Sequence, residues 1–324
     1  MQPARNYIPA LRYGAKIYPS EMVIAPHTSG KYWFVDGNKS GAGSGTTWED
    51  AFTTIQAAVD VASGNDVILV APIESDGSYA ENVLVGGTSA KEYANMGLRI
   101  IGVGNVVKNV RIRASSATTK RPFSNLAGTS VLGSCMSILC AGVEVSGFCF
   151  DASGNYNGLY IGDGYRINTG YGYDSMQCRV HDCTFKYGIS GITYDGASSD
   201  QMCHDNYFYK QSDVGVYIDE GGVQHSQRVH VYNNFFNGPE DYGVVIYNHA
   251  QCKDHIIACN VFKDQLTDTT EMTNPVICAN ATPTNAVVGN WCACDNDCSV
   301  GTKSFSSGNY DGYKAGGGTY VSEA

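Results

Sequence analysis

Apolar and polar positions repeat in a fixed order from about residue 145 onward. An apolar residue is followed by two variable positions, an Asn or Cys, one more residue and a Phe, as in "VYNNFF" (231–236). The closing phenylalanines, which lie 35, 23, 28 and 26 residues apart, are Phe150, Phe185, Phe208, Phe236 and Phe262. A second short apolar run follows each repeat, as in "GVVIYN" (243–248). Two short strands plus turns in each period predict a β-solenoid whose coils stack on one another.

The asparagines of the repeat have a structural explanation. Asn tolerates left-handed backbone angles, and its side-chain amide can bond the equivalent Asn of the next coil. Coils of a solenoid lie about 4.8 Å apart, which is within reach of such a ladder. We predict an asparagine stack at the bend between two strands, with the phenylalanines stacked inside. Its members are Asn206, Asn234, Asn260 and Asn290.

One segment ahead of the repeats has the spacing of a helix. Thr47 would be its N-cap residue, with Asp50 three residues on as in a capping box. The apolar residues that follow helical spacing are Phe52, Ile55, Ala58, Val59 and Ala62. The sequence therefore predicts a capping helix over about 47–62, between strands at 32–35 and 67–70.

The two ends of the chain differ from its middle. Four of the nine prolines lie in the first 26 residues, and proline at that density blocks both helix and central strand. We divide the chain into an extended N-terminal arm (1–30), a solenoid (31–300) and a Gly/Ser/Tyr-rich tail (301–324). The arm is locally basic, and its candidate assembly contacts are Arg5, Tyr7, Arg12, Tyr13, Lys16 and Tyr18.

Charge and composition exclude several classes of function. The formal net charge of −10 argues against a nucleic acid partner, because no broad basic surface is available for phosphates. No apolar run approaches the ~20 residues that span a bilayer. The N-terminus lacks the apolar core of a signal peptide, so we expect assembly in the cytoplasm.

The twelve cysteines all lie between Cys135 and Cys298. Without an export signal, buried reduced thiols that act as small hydrophobic residues are the main expectation. Disulfides, including bonds between subunits, are the first alternative. A metal site in "WCACDNDC" (291–298) is the second, although that segment lacks the paired C-x₂-C units of structural zinc. We predict no metal and no cofactor.

The segment "YWFVDGNKSGAGSGTTWEDAFTTIQAAVDVASGNDVILVAP" (32–72), with "GSYAENVLV" behind it, resembles the cap and first coil of known proteins. These are the right-handed parallel β-helix proteins of the pectate-lyase-like superfamily, and the resemblance covers roughly 31–300. It implies an all-β, single-stranded, right-handed parallel β-helix with one capping helix. It does not fix the function, because the superfamily includes lyases, hydrolases, phage tailspikes and non-catalytic virion proteins.

Candidate catalytic residues end the second strand of successive coils. They are Asp163, Asp195 and Asp219, and Asn248 and Asn280 continue the row. Carboxylates one or two coils apart would be separated by about 5 or 10 Å, which overlaps the spacing in retaining and inverting glycosidases. Asp and Asn are also ordinary turn residues, so turn chemistry is the main expectation for the row, with glycan binding and catalysis as the alternatives. The polygalacturonase motifs N-T-D, D-D, G-H-G and R-I-K, which that enzyme family would imply, do not occur in the chain.

Other polar and aromatic residues recur along the predicted solenoid. His181, His204, His230 and His255 fall on or beside equivalent strand positions, where we expect partly exposed, stacked side chains. Surface tyrosines could stack on sugars or make subunit contacts. These tyrosines are Tyr160, Tyr165, Tyr171, Tyr173, Tyr187 and Tyr209.

Two functional hypotheses follow. The first is a structural phage virion protein, a capsid decoration or spike protein that forms a homotrimer. Its basic arm would bind the major capsid protein or another virion protein. The alternative is a carbohydrate-active β-helix, either a depolymerising tailspike or a polysaccharide lyase or glycoside hydrolase. That protein would use the aspartates on the side of the solenoid to act on a host surface glycan.

Overall fold

The structure is a computed structural model of the chain. The described residues are 30–74, 77–86, 94–104, 109–115, 133–154, 156–162, 175–196, 198–218, 226–247, 252–263, 272, 274–278, 284–293, 299–301, 305–307 and 309–311. The predicted N-terminal arm, including Arg5, Tyr7, Arg12, Tyr13, Lys16 and Tyr18, lies outside them. No helix among the described residues is long and apolar enough to cross a membrane.

One helix and 27 short strands make up the described chain. In chain order they are β1 (Tyr32–Val35), α1 (Ile55–Val61), β2 (Val67–Val70), β3 (Tyr79–Ala80), β4 (Val83–Gly86), β5 (Arg99–Gly102), β6 (Val110–Arg113), β7 (Gly133–Leu139), β8 (Glu144–Ser146), β9 (Phe148–Asp151), β10 (Tyr156–Ile161), β11 (Arg179–His181), β12 (Thr184–Lys186), β13 (Ser190–Tyr194), β14 (Met202–His204), β15 (Tyr207–Tyr209), β16 (Val214–Ile218), β17 (His230–Tyr232), β18 (Phe235–Asn237), β19 (Tyr242–Ile246), β20 (Ile256–Ala258), β21 (Val261–Lys263), β22 (Asn274–Cys278), β23 (Ala286–Val288), β24 (Trp291–Ala293), β25 (Ser299–Gly301), β26 (Phe305–Ser307) and β27 (Tyr310–Asp311).

The strands form three parallel sheets, and each coil from β2 to β25 adds one strand to each sheet. Sheet 1 has the order β1-β2-β5-β8-β11-β14-β17-β20-β23-β26. Sheet 2 has the order β3-β6-β9-β12-β15-β18-β21-β24-β27. Sheet 3 has the order β4-β7-β10-β13-β16-β19-β22-β25. The predicted parallel β-helix is therefore confirmed, with three strands in each coil instead of two.

The third strand arises because the repeated "VYNNFF" motif bends in its middle. Residues 230–232 belong to sheet 1 and residues 235–237 to sheet 2. The residue with a left-handed backbone is the one before each ladder asparagine: Asn233 has φ 56° and Asp205 also has φ 56°. The expectation that Asn206 and Asn234 themselves take up left-handed angles was wrong by one position. Their side chains point inward and form hydrogen bonds along the solenoid axis.

An amide ladder and a ring stack run side by side through the interior. The Nδ2 atom of each ladder asparagine donates to Oδ1 of the next at 3.0–3.1 Å, in the order Asn206, Asn234, Asn260, Asn290 and Asn309. Cys183 occupies the equivalent place one coil earlier, and its N–H donates to Oδ1 of Asn206 at 3.0 Å. The buried rings of Phe150, Phe185, Phe208, Phe236 and Phe262 stack at 4.5–5.0 Å between centroids.

Glycines in sheet 3 make room for these rings. A Cβ atom on Gly215 would lie 2.6 Å from the ring of Phe236 and 2.7 Å from the carbonyl oxygen of Gly243. Gly191 and Gly243 stand in the same relation to Phe208 and Phe262. This close approach explains why a glycine precedes the aliphatic run at Gly191, Gly215 and Gly243. Pro275 takes that place in the next coil, where Cys292 replaces the stacked phenylalanine.

The capping helix is shorter than predicted. It begins at Ile55, and Thr54 is its N-cap residue, whose side chain accepts a hydrogen bond from the N–H of Ala57. The carboxylate of Glu81 accepts from the N–H groups of Ile55 and Gln56 at 2.9 Å each. The predicted start at Thr47 was wrong because the chain first returns to β1, where Phe52 pairs with Val35.

The end of the solenoid extends into the predicted tail. β25, β26 and β27 each pair in parallel with a strand of the preceding coil, and the last two lie wholly within 301–324. Asn309 extends the amide ladder between them.

Most of the described cysteines are buried free thiols, as expected for small hydrophobic residues. The buried ones are Cys135, Cys140, Cys149, Cys178, Cys183, Cys203 and Cys252, and Cys259 is a free exposed thiol. Burial raises the pKa of the Cys135 and Cys178 thiols to about 12 each. Cys292 is an exception, because it is disulfide-bonded.

Candidate functional site

The register of sheet 3 can be followed up to the residues that precede the predicted aspartate row. Ile161, Tyr194, Ile218 and Ile246 are paired across successive strands. The residues that directly follow them are Gly162, Asp195, Asp219 and Tyr247. Asp163, Asn248 and Asn280 come one position later in their coils than Asp195 does. Asp195 is the only catalytic candidate among the described residues, because Asp163 and Asp219 both lie outside them.

Asp195 lies at the end of β13 and is 8 % exposed. The hydroxyl of Tyr160, on the preceding coil, donates to its Oδ2 atom at 2.5 Å. The backbone carbonyl of Asp195 accepts from the hydroxyl of Ser198 at 2.7 Å. Tyr160 packs outside the solenoid core against Leu84 and Leu139. A tyrosine hydroxyl held on a carboxylate can pass or accept a proton, which is the chemistry that a hydrolase or lyase requires.

Two further carboxylates lie at the opposite end of sheet 3. Asp213 precedes β16 and Asp241 precedes β19, one coil away. The backbone N–H groups of Asp241 and Tyr242 both donate to the carbonyl oxygen of Asp213, at 3.2 and 2.9 Å. Burial, followed by the nearby charge of Asp241, raises the pKa of Asp213. The length of strand β16 separates this pair from the Asp195 end of the sheet, so the two do not form one site.

The histidine row lies on the outer face of sheet 1 and is shorter than predicted. The rings of His181 and His204 stack at 5.0 Å, and Tyr232 continues the stack at 4.9 Å from His204. His230 lies two residues before Tyr232 on β17, so it is paired with Met202 and not with His204. His255 is fully buried ahead of β20, where its Nδ1 atom accepts from the N–H of Val229 at 3.1 Å. Burial lowers its pKa to about 3.

A charged cluster borders the histidine stack. Arg99 forms a two-pronged hydrogen bond with the Glu144 carboxylate at 2.8 and 3.2 Å, and His181 lies 3.5 Å from the same group. Asp182 lies 3.0 Å from the other ring nitrogen of His181. Burial opposes protonation of His181, but Asp182 and Glu144 outweigh it and raise the pKa to about 9. Among the described residues, no group of three or more His, Cys, Asp or Glu side chains could hold a metal ion.

The outer face of sheet 2 carries aromatic and polar side chains in two rows. The central residue of each strand is a buried Phe or Cys, and the residues on either side point outward. The first row is Thr184, Tyr207, Phe235, Val261 and Trp291. The second row is Lys186, Tyr209, Asn237, Lys263 and Ala293.

Tyr187 and Lys210 stand at the corner that follows these strands, and both have left-handed backbones. We call the two rows together with Tyr187 and Lys210 the aromatic–lysine strip.

Aromatic contacts hold the middle of the strip. The ring of Tyr207 stacks on Phe235 at 5.6 Å, and the ring of Tyr209 lies 6.2 Å from Tyr207. The hydroxyl of Tyr207 accepts a hydrogen bond from Nδ2 of Asn237 at 2.7 Å. Tyr187, which is 41 % exposed, packs edge-on against Tyr209. Because the rings in the middle of the strip stack face to face, they present their edges and the tyrosine hydroxyl groups to solvent.

The strip is long and straight, since its residues repeat from coil to coil. Trp291, at the other end from Tyr187, is 45 % exposed. Four steps between parallel strands separate β12 from β24, which is a length of about 19 Å. Extended polymers fit such a surface better than compact ligands do.

Sequence reasoning named two members of this strip, Tyr187 and Tyr209, and missed the rest. The signal that could have found them is the position on either side of each stacked phenylalanine, as in "TFK", "YFY", "FFN" and "VFK". The other tyrosines named from the sequence lie elsewhere: Tyr160 is buried on sheet 3, and Tyr165, Tyr171 and Tyr173 fall outside the described residues.

Comparison with known proteins identifies the fold. No family profile matches the sequence, and no curated protein matches it. Among solved structures, a GH136 lacto-N-biosidase from Eubacterium ramulus aligns with a TM-score of 0.55 at 11 % identity, over 86 % of this chain and 55 % of that one. Escherichia coli YbhC aligns with a TM-score of 0.54 at 14 % identity, over 86 % of this chain and 75 % of that one. The chain thus spans little more than half of the biosidase.

The three parallel sheets and these likenesses define the class of protein. The chain has the right-handed parallel β-helix fold of pectate-lyase-like proteins, as the sequence resemblance implied. At 11 and 14 % identity these two likenesses show the fold alone and leave the function to be argued from this chain's own surface.

Proposed function

We propose that this protein is a carbohydrate-active β-helix protein that binds a glycan chain along its aromatic–lysine strip. The observation that carries the proposal is the series of outward aromatic and polar side chains on successive coils from β12 to β24, about 19 Å long, in which only the β21 coil presents no ring. A pyranose ring has an apolar face of C–H groups that packs on aromatic rings. Its hydroxyl groups bond to amides, hydroxyls and ammonium groups. The exposed rings of Tyr187 and Trp291 offer the first kind of contact, and Asn237, the lysines and the tyrosine hydroxyl groups of the strip offer the second.

Affinity electrophoresis through gels that contain single polysaccharides tests this proposal. Trp291→Ala and Tyr187→Ala should each weaken retardation by the bound polysaccharide, because they remove the most exposed rings of the strip. The matched control is Tyr247→Ala, which removes a ring that is also 41 % exposed but follows sheet 3. Equal effects of all three substitutions, or no retardation of the wild type by any polysaccharide, would refute strip binding.

Catalysis is a separate proposal, because Asp195 follows β13 of sheet 3 and does not lie on the strip. Its substrate would be a glycan bound at that end of sheet 3. Asp195, with the Tyr160 hydroxyl 2.5 Å from its carboxylate, is the described residue best placed to exchange a proton with a substrate. The test is release of reducing ends or unsaturated products from polysaccharides that the wild type binds. Asp195→Asn and Tyr160→Phe should abolish or strongly reduce release. Undiminished release by Asp195→Asn excludes Asp195 as the catalytic residue, and no release by the wild type leaves a binding protein.

The virion role predicted from the sequence can hold at the same time as glycan binding. It is supported by the composition of residues 1–26, four prolines with a local excess of basic residues in an otherwise acidic chain. Deleting residues 1–26 should abolish attachment to phage particles while the β-helix remains folded, as judged by circular dichroism. Normal attachment by the truncated protein would rule out the arm as the attachment element.

A further inference from the structure

A cavity of about 340 Å³ lies at the corner that follows the first strands of sheet 1. This volume is within the range of about 300–1,000 Å³ that is common for ligand sites. The residues that line it are Asp36, Lys39, Trp48, Glu49, Ala71, Pro72 and Val103. None of them belongs to the aromatic–lysine strip or contacts Asp195, so the cavity is separate from both candidate sites.

Hydrogen bonds fix the loop that carries Trp48. The N–H of Phe34, on β1, donates to the carbonyl oxygen of Gly45 at 2.9 Å. The N–H of Gly45 donates to the carbonyl oxygen of Asp50 at 2.7 Å. The ring of Trp48 makes a T-shaped contact with Phe34, with 5.0 Å between the ring centroids. This wall of the cavity is therefore formed before any ligand binds, which lowers the entropic cost of binding.

The charged groups of the cavity suit one cation. The carboxylates of Asp36 and Glu49 face the single ammonium group of Lys39, which leaves a net charge of −1. Asp36 is held in place by Asn38, whose backbone N–H and Nδ2 atom donate to its Oδ1 atom at 3.0 and 2.7 Å. A guanidinium group can stack on an indole ring and donate to carboxylates at the same time. An arginine side chain thus matches both the ring and the charge of the cavity.

The cap around the cavity and the N-terminal arm have opposite charges. Residues 30–86 contain eight acidic residues and two lysines, a net charge of −6, whereas the whole chain carries −10. More than half of the net negative charge is therefore found in less than a fifth of the chain. Residues 1–26 contain three basic residues, Arg5, Arg12 and Lys16, and one acidic residue, Glu21. Electrostatic attraction favours contact between these two regions.

The length of chain between the arm and the cap allows Arg12 to reach the cavity. Arg12 is the arginine of the arm nearest to the solenoid, 18 residues before Gly30. From Gly30 to Asp36 the chain crosses sheet 1, a distance of about 20 Å. A chain of 18 residues has a root-mean-square span of about 25 Å. Because span and distance match, the effective concentration of Arg12 at the cavity is on the order of 1 mM, which favours it over an untethered cation.

We propose that the cavity beside Trp48 binds the side chain of Arg12 from the same chain and so holds the N-terminal arm against the cap. This contact is independent of glycan binding by the strip. Any other protein that binds the arm would have to compete with the cap for Arg12.

Hydroxyl-radical labelling of Trp48 in the full-length protein tests the contact from the side of the arm. Arg12→Gln should raise the labelling of Trp48 at least about threefold, because the ring loses the guanidinium group that covers it. The matched control is Arg5→Gln, which removes the same charge from the arm and should leave Trp48 unchanged. Trp33, whose indole N–H donates to Asp66 at 2.8 Å, is the internal reference.

Brief trypsin digestion tests the contact from the side of the cavity. Glu49→Gln should raise cleavage after Arg12 about threefold relative to cleavage after Arg5, because it removes one of the two carboxylates. Asp60→Asn is the matched control, since Asp60 is an exposed acidic residue on α1 outside the cavity, and the ratio should not change. Circular dichroism checks that all variants remain folded.

The other results each overturn a stated part of the proposal. Unchanged labelling of Trp48 in Arg12→Gln, or an unchanged cleavage ratio in Glu49→Gln, overturns binding of the arm in the cavity. A rise in Trp48 labelling with Arg5→Gln alone overturns the assignment to Arg12. Labelling of wild-type Trp48 that rises on dilution from about 100 to about 1 μM overturns binding within one chain, because only an arm supplied by a second copy is lost on dilution.

Discussion

Replacing Asn234 by alanine should destabilise the solenoid more than any single change on its surface. Asn234 is buried, and its Oδ1 atom accepts from the backbone N–H of Asn206 at 3.0 Å and from the Nδ2 atom of Asn206 at 3.0 Å. Its own Nδ2 atom donates to the carbonyl oxygens of Cys203 and Tyr232 and to Oδ1 of Asn260. One side chain thus connects three coils.

The expected loss can be worked from these partners. Alanine leaves the N–H of Asn206 buried without its acceptor, which costs about 1–3 kcal/mol. The other buried groups keep part of their bonding, because the Nδ2 atom of Asn206 still donates to the carbonyl oxygen of Val180. These weakened contacts and the small void add roughly 1–2 kcal/mol. We expect a total loss of about 2–5 kcal/mol.

Urea unfolding followed by circular dichroism measures this loss. Asn237→Ala is the matched control, because Asn237 is in the same coil and points outward with one side-chain bond, to Tyr207. Its loss should be about 0.5–1 kcal/mol. If Asn234→Ala costs no more than Asn237→Ala, the ladder does not stabilise the fold in the way described.

Two other predictions concern packing and pH. Gly215→Ala should lower the free energy of unfolding in urea by about 3 kcal/mol or more, because the new Cβ atom would lie 2.6 Å from the Phe236 ring. Gly41→Ala is the control and should cost almost nothing, because a Cβ atom there meets nothing within 4 Å. Equal losses from the two substitutions would contradict the packing argument. The folded pKa of His181 is raised to about 9, so its stabilising contribution is complete below about 6.5 and lost as the pH rises towards 9. Burial opposes ionisation of Glu144, but His181 and Arg99 lower its pKa to about 2, so its contribution is lost only as the pH falls from 4.5 towards 2. The difference in melting temperature between wild type and His181→Gln should therefore shrink between pH 6.5 and 9, and a constant difference would refute the ion pairing.

The solenoid could be predicted because its interior repeats. Asn206, Asn234, Asn260 and Asn290 and the stacked phenylalanines each occupy one place per coil, and burial allows few other residues there. Asn309 was missed because it follows Asn290 by only 19 residues, a shorter period than the others. The early coils before Phe148 use aliphatic residues and cysteines in place of the motif, so no repeat marks them in the sequence.

The candidate site was harder to predict, for two physical reasons. The aspartate row depends on where each sheet 3 strand ends, and a one-residue difference between β10 and β13 places Gly162 beside Asp195. The strip on sheet 2 is formed by outward residues, which the fold leaves free to vary. That Tyr207, Phe235 and Trp291 share a row can be recognised only from the strand register, because the row has no residue type that repeats in the sequence.

The location of a bound glycan distinguishes the aromatic–lysine strip from the other surfaces of the solenoid. Hydroxyl-radical labelling of the protein, with and without saturating polygalacturonate, measures the solvent access of each aromatic side chain. Tyr187, Tyr209 and Trp291 should be protected by the glycan, while Tyr247 should be labelled equally in both states. Protection of Tyr247 with unchanged labelling of the strip would place the glycan on sheet 3 and contradict the account.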